Sequence, residues 1–328
     1  MTNPASVPVL SKALPVALPE ISVVFPCLNE VETLASCVAD AQQLFALLGV
    51  VGEIVVADNG SSDGSPQLAR NLGCRVVDVA QRGYGAALMG GFDSCRGRIL
   101  VMADCDMTYC LRDALPLVEL VRQGQADMGI GLRLGGGHIE PGAMPLLHRY
   151  LGTPVLTGVL NLLHRSAYRD INSGLRVLSR DAYQRLPLQA TGMAFASEML
   201  VQAVRHRLRV VEQPITYRLS GRSRPAHLKT WPDGWAHLMC MTKLAFAAPV
   251  PVVDGAADGG CVDGADCIPV SSQHDYFPEP ALLVCVFHAG ADLQGTRAAG
   301  TDFVDHRVLC PPTVAMAVLC HRVRHSPV

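Results

Sequence analysis

Short apolar segments of strand length alternate with stretches of helical periodicity in the first part of this chain. Four such segments occupy residues 21–26, 53–57, 75–79 and 98–103. Strands that alternate with helices favour an α/β fold, with a mostly parallel sheet covered by helices on both faces. Ligands bind beyond the carboxyl ends of strands in such sheets, so functional side chains are expected directly after each segment.

The loop after the first predicted strand contains a pattern that often starts a helix. Asn29 is followed three residues later by Glu32. This spacing is typical of a capping box, in which the two side chains satisfy free backbone N–H groups at the helix start. The pattern therefore predicts that Asn29 caps the first helix.

The composition changes abruptly near residue 247 and divides the chain into three parts. Residues 1–19 contain four prolines and are expected to form a flexible leader, whereas residues 20–246 carry the periodic pattern of a catalytic domain. Residues 247–328 are rich in Gly, Pro, Asp, Cys and His and show no sustained period. We expect a poorly ordered tail there, and an out-of-frame or otherwise non-native end is an open alternative.

Charge and cysteine usage limit the partners and the compartment. The chain has 27 Lys and Arg against 29 Asp and Glu, a net charge of −2, which argues against nucleic acid as a partner. Its 12 cysteines are scattered, without a CxxC pair or an export signal ahead of them, and are expected to be reduced thiols. These features predict a cytoplasmic protein that meets a membrane, if at all, from the cytoplasmic surface as a peripheral protein.

Asp104 and Asp106 follow the fourth predicted strand directly. Two carboxylates separated by one residue at a strand end can bind one hard divalent cation, and such a cation can neutralise a diphosphate. An Asp-x-Asp triplet is also common in solvated turns, so the pair alone leaves both interpretations open.

Further motifs occur in a fixed order along residues 20–246. They are VVFPCLNE, IVVADNGSSDGS, RGYGAALMGGF, VMADCDMTY, GLR, DINSGLRVLSR, GMAFASEML and VEQPITYRLSGRSRP. In these motifs and their order the chain resembles the family 2 glycosyltransferases of the GT-A fold, in particular the polyprenyl-phosphate sugar synthases related to dolichyl-phosphate mannose synthase. This resemblance implies a Rossmann-related sheet.

The resemblance implies a role for several residues. Asp104 and Asp106 match a pair that binds Mg²⁺ or Mn²⁺, and Asp104 also belongs to the nucleotide-sugar site. Arg133 matches an arginine that faces the acceptor phosphate or the donor diphosphate. The remaining nucleotide-sugar positions are Pro26, Asn29, Glu30, Asp58 and Asp63, and a basic segment with Arg218, Arg222, Ser223 and Arg224 lies where relatives contact the acceptor phosphate.

Three departures leave the sugar and the base open. Asn59 stands where many relatives have a second aspartate, Arg82 replaces a frequent asparagine, and Thr108 replaces a glutamine. The identity of the donor therefore does not follow from the resemblance.

The expected reaction is the inverting transfer of a hexose from a UDP-glucose or GDP-mannose type donor to a polyprenyl phosphate. A phosphate acceptor is already anionic near neutral pH and needs no strong base. A soluble enzyme that acts on a glycan hydroxyl is an alternative, and Glu198 is then the candidate base. A non-catalytic nucleotide-sugar-binding protein is the alternative of another class.

Residues 231–246 are predicted to form an amphipathic helix. Trp231, Trp235, Met239 and Phe246 recur at helical spacing, and a basic segment precedes them. Such a helix can lie in the headgroup region of an anionic membrane, or its apolar side can pack on the sheet.

Overall fold

The computed structural model describes residues 18–225 and 227–248. The predicted tail beyond residue 248 and most of the predicted leader lie outside the described residues. Nine strands are found in the part of the chain that the model describes. They are β1 (Ile21–Cys27), β2 (Gly52–Asp58), β3 (Arg75–Asp78), β4 (Ile99–Met102), β5 (Met128–Leu132), β6 (His138–Ile139), β7 (Arg176–Ser179), β8 (Val210–Pro214) and β9 (Thr216–Tyr217).

Eight α-helices connect or follow these strands within the described ranges. A 3₁₀ turn, Leu111–Ala114, precedes one of them, and a π-helical turn, His148–Gly152, precedes another. The helices are α1 (Leu34–Leu48), α2 (Ser65–Asn71), α3 (Tyr84–Ser94), α4 (Leu115–Arg122), α5 (Thr153–His164), α6 (Arg180–Gln184), α7 (Phe195–Arg205) and α8 (Thr230–Ala245).

The main sheet has seven strands in the order β3-β2-β1-β4-β7-β5-β8. All neighbours are parallel except β7, which is antiparallel to both β4 and β5. The predicted mostly parallel α/β sheet is therefore confirmed, and the four predicted strands match β1 to β4 within two residues at each end.

Helices cover both faces of this sheet. Successive residues of β1 alternate between two separate apolar clusters: Val23 and Phe25 join the cluster under α1 and α4, whereas Val24 joins the cluster under α3 and α7. Because both sides of the strand are buried, its sequence reads as a continuous apolar run rather than an alternating one.

The predicted capping box is wrong. Helix α1 begins at Leu34, and Asn29 lies five residues before it in a left-handed conformation with φ 59°. Its side chain and that of Glu32 are both used in long-range contacts instead, with Ser62 and Ser223 respectively. Hydrogen bonds between loops therefore override the local pattern here.

Helix α8 confirms the predicted helix near residues 231–246 to within one residue. In the described ranges, none of the helices combines the length and the apolar character needed to cross a bilayer.

Candidate active site

The loops after β1, β2 and β4 meet at the carboxyl edge of the sheet. Strand β1 pairs in parallel with β2 up to Cys27 and Asp58, and with β4 up to Val24 and Met102. The three loops therefore leave the sheet side by side. Of the residues predicted to bind the nucleotide sugar, Asn29, Glu30, Asp63 and Asp104 lie in these loops, Pro26 lies in β1, and Asp58 is the last residue of β2.

The loop after β2 is held by backbone N–H groups that donate to its carboxylates. Asp58 accepts hydrogen bonds from the N–H of Gly60 (2.9 Å) and of Ser61 (3.1 Å). Asp63 accepts from the N–H of Val31 (3.0 Å), which ties this loop to the loop after β1. Burial opposes ionisation of Asp63, but the hydrogen bonds from Ser65 and Val31 outweigh it and lower the pKa of Asp63. This loop is thus fixed before any ligand binds.

Asn59 is a site residue whose role the sequence did not reveal. Its Nδ2 donates to the carbonyl oxygens of Val79 (3.0 Å) and Gln81 (2.7 Å), and its Oδ1 accepts from the N–H of Gly83 (2.7 Å). An aspartate could not donate these two hydrogen bonds. The departure at this position therefore fastens the loop after β2 to the loop that leads into α3.

Asp104 and Asp106 lie together in the loop after β4. Asp104 Oδ1 accepts a hydrogen bond from the hydroxyl of Tyr84 (2.9 Å), and Asp106 Oδ1 accepts from the hydroxyl (2.5 Å) and N–H (3.1 Å) of Thr108. Burial and the negative charge of Asp106 raise the pKa of Asp104 to about 6. Asp104 Oδ2 lies against Gly174, where an added Cβ would be only 2.6 Å away, so only glycine leaves room for this carboxylate.

This pair has the donor chemistry that a hard divalent cation requires. Both groups offer carboxylate oxygens, and the crowding of two negative charges favours a cation between them. No cluster of three or more His, Cys, Asp or Glu that could hold a metal occurs within the described ranges. The pair therefore fits a Mg²⁺ or Mn²⁺ ion that is completed by water and ligand phosphates rather than a site made by protein alone.

The basic segment Arg218–Arg224 crosses the loops after β1 and β4. The N–H of Gly221 donates to the carbonyl oxygen of Asp106 (2.9 Å). Arg222 pairs with Glu30 (2.8 Å) and with Asp106 Oδ2 (3.3 Å), and Arg224 pairs with Glu30 (2.9 Å). The segment thus places the guanidinium group of Arg222 beside Asp106 and that of Arg224 beside Glu30.

Ser223 and Arg218, both predicted to contact the acceptor phosphate, make different contacts. Ser223 donates both its N–H and its hydroxyl to Glu32 (2.8 and 2.6 Å), which anchors the basic segment. Arg218 forms no ion pair with any described residue, and only its backbone N–H is engaged, with Thr108 (2.9 Å). Arg218 is therefore a cation that an incoming phosphate could use, whereas Ser223 serves the fold of the segment.

Arg133 forms a buried, two-point ion pair with Asp170. Its Nε and Nη2 each lie 2.8 Å from a different carboxylate oxygen, and its guanidinium lies 5.2 Å from the ring centre of Tyr217. Burial opposes the charges, but each partner favours the charged form of the other, so the pKa of Arg133 is raised and that of Asp170 is lowered. Arg133 is therefore a fixed cation, with part of its hydrogen-bonding capacity already used.

Glu198 is buried in α7, and one of its oxygens serves a nearby turn. Oε2 accepts hydrogen bonds from the N–H of Gln189 (3.0 Å) and Ala190 (2.7 Å). The carbonyl groups of Ala190 and Thr191 in turn pack against Gly85 and Gly83, at the start of the helix that carries Tyr84. Glu198 has no direct hydrogen bond to Asp104 or Asp106, and through this turn it supports the position of Tyr84.

Arg176 is a second feature that sequence reasoning missed. This side chain on β7 is fully buried, and it donates to the carbonyl oxygens of Ser173 (3.1 Å), Ala196 (2.8 Å) and Ile171 (2.8 Å). It forms no ion pair within the described part of the chain. A charge buried in this way fixes the segment that places Gly174 against Asp104.

Comparison with known proteins agrees with this geometry. Residues 22–184 match the family model described as glycosyl transferase family 2. The chain is 40% identical over 235 residues to the low-salt glycan biosynthesis hexosyltransferase Agl6 of Haloferax volcanii, covering 70% of this chain and 56% of that protein. It is 27% identical over 202 residues to a dolichyl-phosphate hexose transferase of the same organism, covering 61% and 83%. The chain thus spans little more than half the length of Agl6.

Solved structures show the same fold. Glucosyl-3-phosphoglycerate synthase from Mycobacterium tuberculosis, in complex with Mn²⁺, UDP and phosphoglyceric acid, superposes with a TM-score of 0.55 at 21% identity. The superposition covers 70% of this chain and 80% of that one. The sheet order, the carboxylate pair at its edge and the family match agree, and the chain belongs to the family 2 glycosyltransferases, with the GT-A fold.

Proposed function

We propose that this chain transfers a hexose from a nucleotide sugar to a polyprenyl phosphate, with inversion at the anomeric carbon and with Mg²⁺ or Mn²⁺. The observation that carries the proposal is the pair Asp104 and Asp106, which lies at the carboxyl edge of the sheet with the guanidinium group of Arg222 beside it. Carboxylates that hold a cation, with arginines next to them, suit a leaving group that departs as a diphosphate.

Each part of the site has a role in this reaction. The loops after β1 and β2, with Pro26, Asn29, Glu30, Asp58 and Asp63, would bind the base and ribose. The cation, when bound to Asp104 and Asp106, would stabilise the negative charge that develops on the leaving diphosphate. Arg222 lies close enough to Asp106 to contact the same diphosphate.

A phosphate acceptor agrees with the cations and with the state of Glu198. Arg218 has no carboxylate partner among the described residues, and Arg133 is a permanent cation in the same region. Glu198, the candidate base for a hydroxyl acceptor, has one oxygen committed to two backbone N–H groups. A phosphate oxygen already carries the charge needed for attack, so no base is required. The dolichyl-phosphate hexose transferase among the relatives supports the same acceptor class.

The proposal is tested by supplying labelled UDP-glucose or GDP-mannose with Mn²⁺ and a polyprenyl phosphate. We expect label to enter the organic phase with one donor. Asp106→Asn should abolish this transfer, whereas Asp78→Asn is the matched control because that carboxylate is exposed at the end of β3 and forms no hydrogen bond with any described residue. Label found only in water-soluble product would contradict a lipid acceptor.

The second candidate is transfer to a glycan hydroxyl, which the similarity to Agl6, a glycan biosynthesis hexosyltransferase, favours. Glu198→Gln separates the two. A glutamine oxygen still accepts the two backbone hydrogen bonds but cannot take a proton. Near-normal turnover in this variant supports a phosphate acceptor, and a loss of about 10²-fold or more supports a hydroxyl acceptor. Binding of nucleotide sugar without any release of nucleoside diphosphate would instead identify a non-catalytic binding protein.

A further inference from the structure

Two neighbouring helices expose large apolar side chains that nothing in the described structure covers. On α8 and just after it, Trp231, Trp235 and Phe246 are 78%, 63% and 85% exposed. On the π-helical turn and α5, Tyr150, Val155 and Leu162 are 68%, 52% and 81% exposed. Single exposed apolar residues are normal on protein surfaces, but a concentration of this kind marks an interaction site.

These side chains belong to one continuous surface. His148 Nε2 lies 3.0 Å from Thr230 Oγ1, and His164 Nε2 lies 3.0 Å from the carbonyl oxygen of Met241. Helices α5 and α8 therefore run side by side in the same direction. Leu160 of α5 and Met241 of α8 are fully buried in the cluster that includes α7, so each helix turns its other side outward. We name this surface, formed by the outer sides of residues 148–164 and 230–246, the α5–α8 face.

The charge around the α5–α8 face is predominantly positive. Residues 141–169 contain no aspartate or glutamate, and Asp233 is the only one in residues 218–248. Four basic residues of these two stretches form no ion pair with described residues and lie on or beside the face; they are Arg149, Arg165, Lys229 and Lys243. Arg149 stacks on Tyr150 at 5.4 Å, so a cation and an aromatic ring are presented together.

We propose that the α5–α8 face docks on the surface of an anionic lipid bilayer. Tryptophan and tyrosine rings suit the boundary between headgroups and acyl chains, and a rim of cations is attracted to anionic headgroups. A second copy of the chain would place these cations against each other, which opposes self-association through the same face. Docking by two helices goes beyond the hexosyl transfer proposed above and does not depend on it.

The test uses the full chain and vesicles that contain neither polyprenyl phosphate nor donor, so its failure would leave the transfer reaction untouched. Both tryptophans of the chain lie on α8, and intrinsic tryptophan emission therefore reports on this face alone. With vesicles of phosphatidylcholine and phosphatidylglycerol, we expect a blue shift and quenching by brominated lipid. Unchanged emission, together with no flotation of the protein with these vesicles, would overturn the proposal.

Variants separate the apolar and the electrostatic contributions. The pair Arg149→Gln and Lys243→Gln should lower partitioning into the anionic vesicles by roughly 25-fold, since each basic residue near such a surface contributes about fivefold. The pair Trp231→Ala and Trp235→Ala leaves the chain without tryptophan, so its partitioning is followed by flotation with the vesicles; it should fall at least about tenfold. Leu47→Ala with Val51→Ala is the matched control, because these apolar side chains are 56% and 58% exposed elsewhere, near the end of α1, and should leave partitioning unchanged.

Two further outcomes would also overturn the proposal. Tryptophans that are already shielded from iodide in buffer at every protein concentration would show that residues 249–328 cover the face. Shielding that grows with protein concentration would show that a second copy covers it. Equal thermal unfolding temperatures for all variants establish that the substitutions act on the surface and not on the fold.

Discussion

A pair of aspartates lies at the carboxyl end of β2 and another at that of β4, yet the surroundings of the two pairs differ. Asp58 and Asp63 receive hydrogen bonds from backbone N–H groups, and the pKa of Asp63 is lowered. Asp104 and Asp106 crowd each other, and the pKa of Asp104 is raised to about 6. Aspartate therefore stabilises the loop after β2, whereas in the loop after β4 two aspartates repel each other and favour the binding of a cation. We expect Asp63 to act mainly by stabilising its loop, and Asp104 and Asp106 to act mainly by binding the cation.

The largest effect on turnover is expected when a charge is removed from the pair Asp104 and Asp106. Asp106→Asn should lower turnover by about 10³-fold or more and abolish the Mn²⁺-dependent part of nucleotide-sugar binding, because the leaving diphosphate loses its counter-charge. Turnover and a thermal-shift titration with and without Mn²⁺ measure the two effects. If Asp106→Asn keeps the Mn²⁺-dependent increase in unfolding temperature, Asp106 is not a ligand of the metal ion.

Substitutions in the two pairs should change the free energy of unfolding in opposite directions. Asp63→Ala leaves the N–H of Val31 and both donors of Ser65 without their acceptor, and should lower the free energy of unfolding by about 1–3 kcal/mol. Asp104→Asn should instead raise the free energy of unfolding at neutral pH, since a carboxylate whose pKa is raised by folding opposes folding when ionised. Denaturant unfolding of the two variants compares them, and a stabilised Asp63→Ala protein would contradict the contrast.

The two pairs should also respond differently to pH. Asp104 must lose its proton to bind a cation, so Mn²⁺ affinity should be nearly full at about pH 7, should be halved near pH 6 and should fall up to about tenfold per pH unit below that. The lowered pKa of Asp63 keeps that group ionised, so its loop keeps its stability as the pH falls from 6 to 5. Mn²⁺ titrations between pH 5 and pH 8 test this; a flat profile would mean that Asp104 is not a ligand.

The smallest expected effect is on Mn²⁺ affinity and comes from Arg222, whose guanidinium group pairs with Asp106. Arg222→Gln removes a guanidinium from Asp106 Oδ2 and should increase the affinity for Mn²⁺ alone by about fivefold, which corresponds to about 1 kcal/mol. Arg224→Gln is the matched control, because Arg224 pairs with Glu30 and not with Asp106. Equal affinities for the two variants would show that Arg222 does not compete with the metal ion.

The sequence predicted four of the seven strands of the main sheet, and the place of Asp104 and Asp106 after the fourth, because both depend on short-range patterns. Apolar runs of strand length mark β1 to β4, and the carboxyl ends of parallel strands place Asp58 and Asp104 at one edge. Ion pairs between residues far apart in the sequence could not be predicted from such patterns. The bonds from Arg133 to Asp170 and from Arg222 to Asp106 join residues that no local period relates.

Two other features show the limits of local patterns. The capping-box prediction failed because Asn29 and Glu32 bind residues 33 and 191 positions away. The apolar stretch within α5 gave no indication that part of it faces outward, since a composition rich in leucine and valine is equally typical of a buried helix.

The antiparallel strand β7 has a consequence for the order in which this fold can form. It lies between β4 and β5, although it follows both in the chain by more than forty residues. Strands β1 to β4 can pair as soon as they leave the ribosome, because each neighbour is already present or arrives next. Strand β5 cannot join them until Arg176–Ser179 has been synthesised and inserted. The strand that ends at Asp104 and Asp106 therefore gains its neighbours β7 and β5 late in translation, and until then one side of β4 is unpaired and open to other polypeptides.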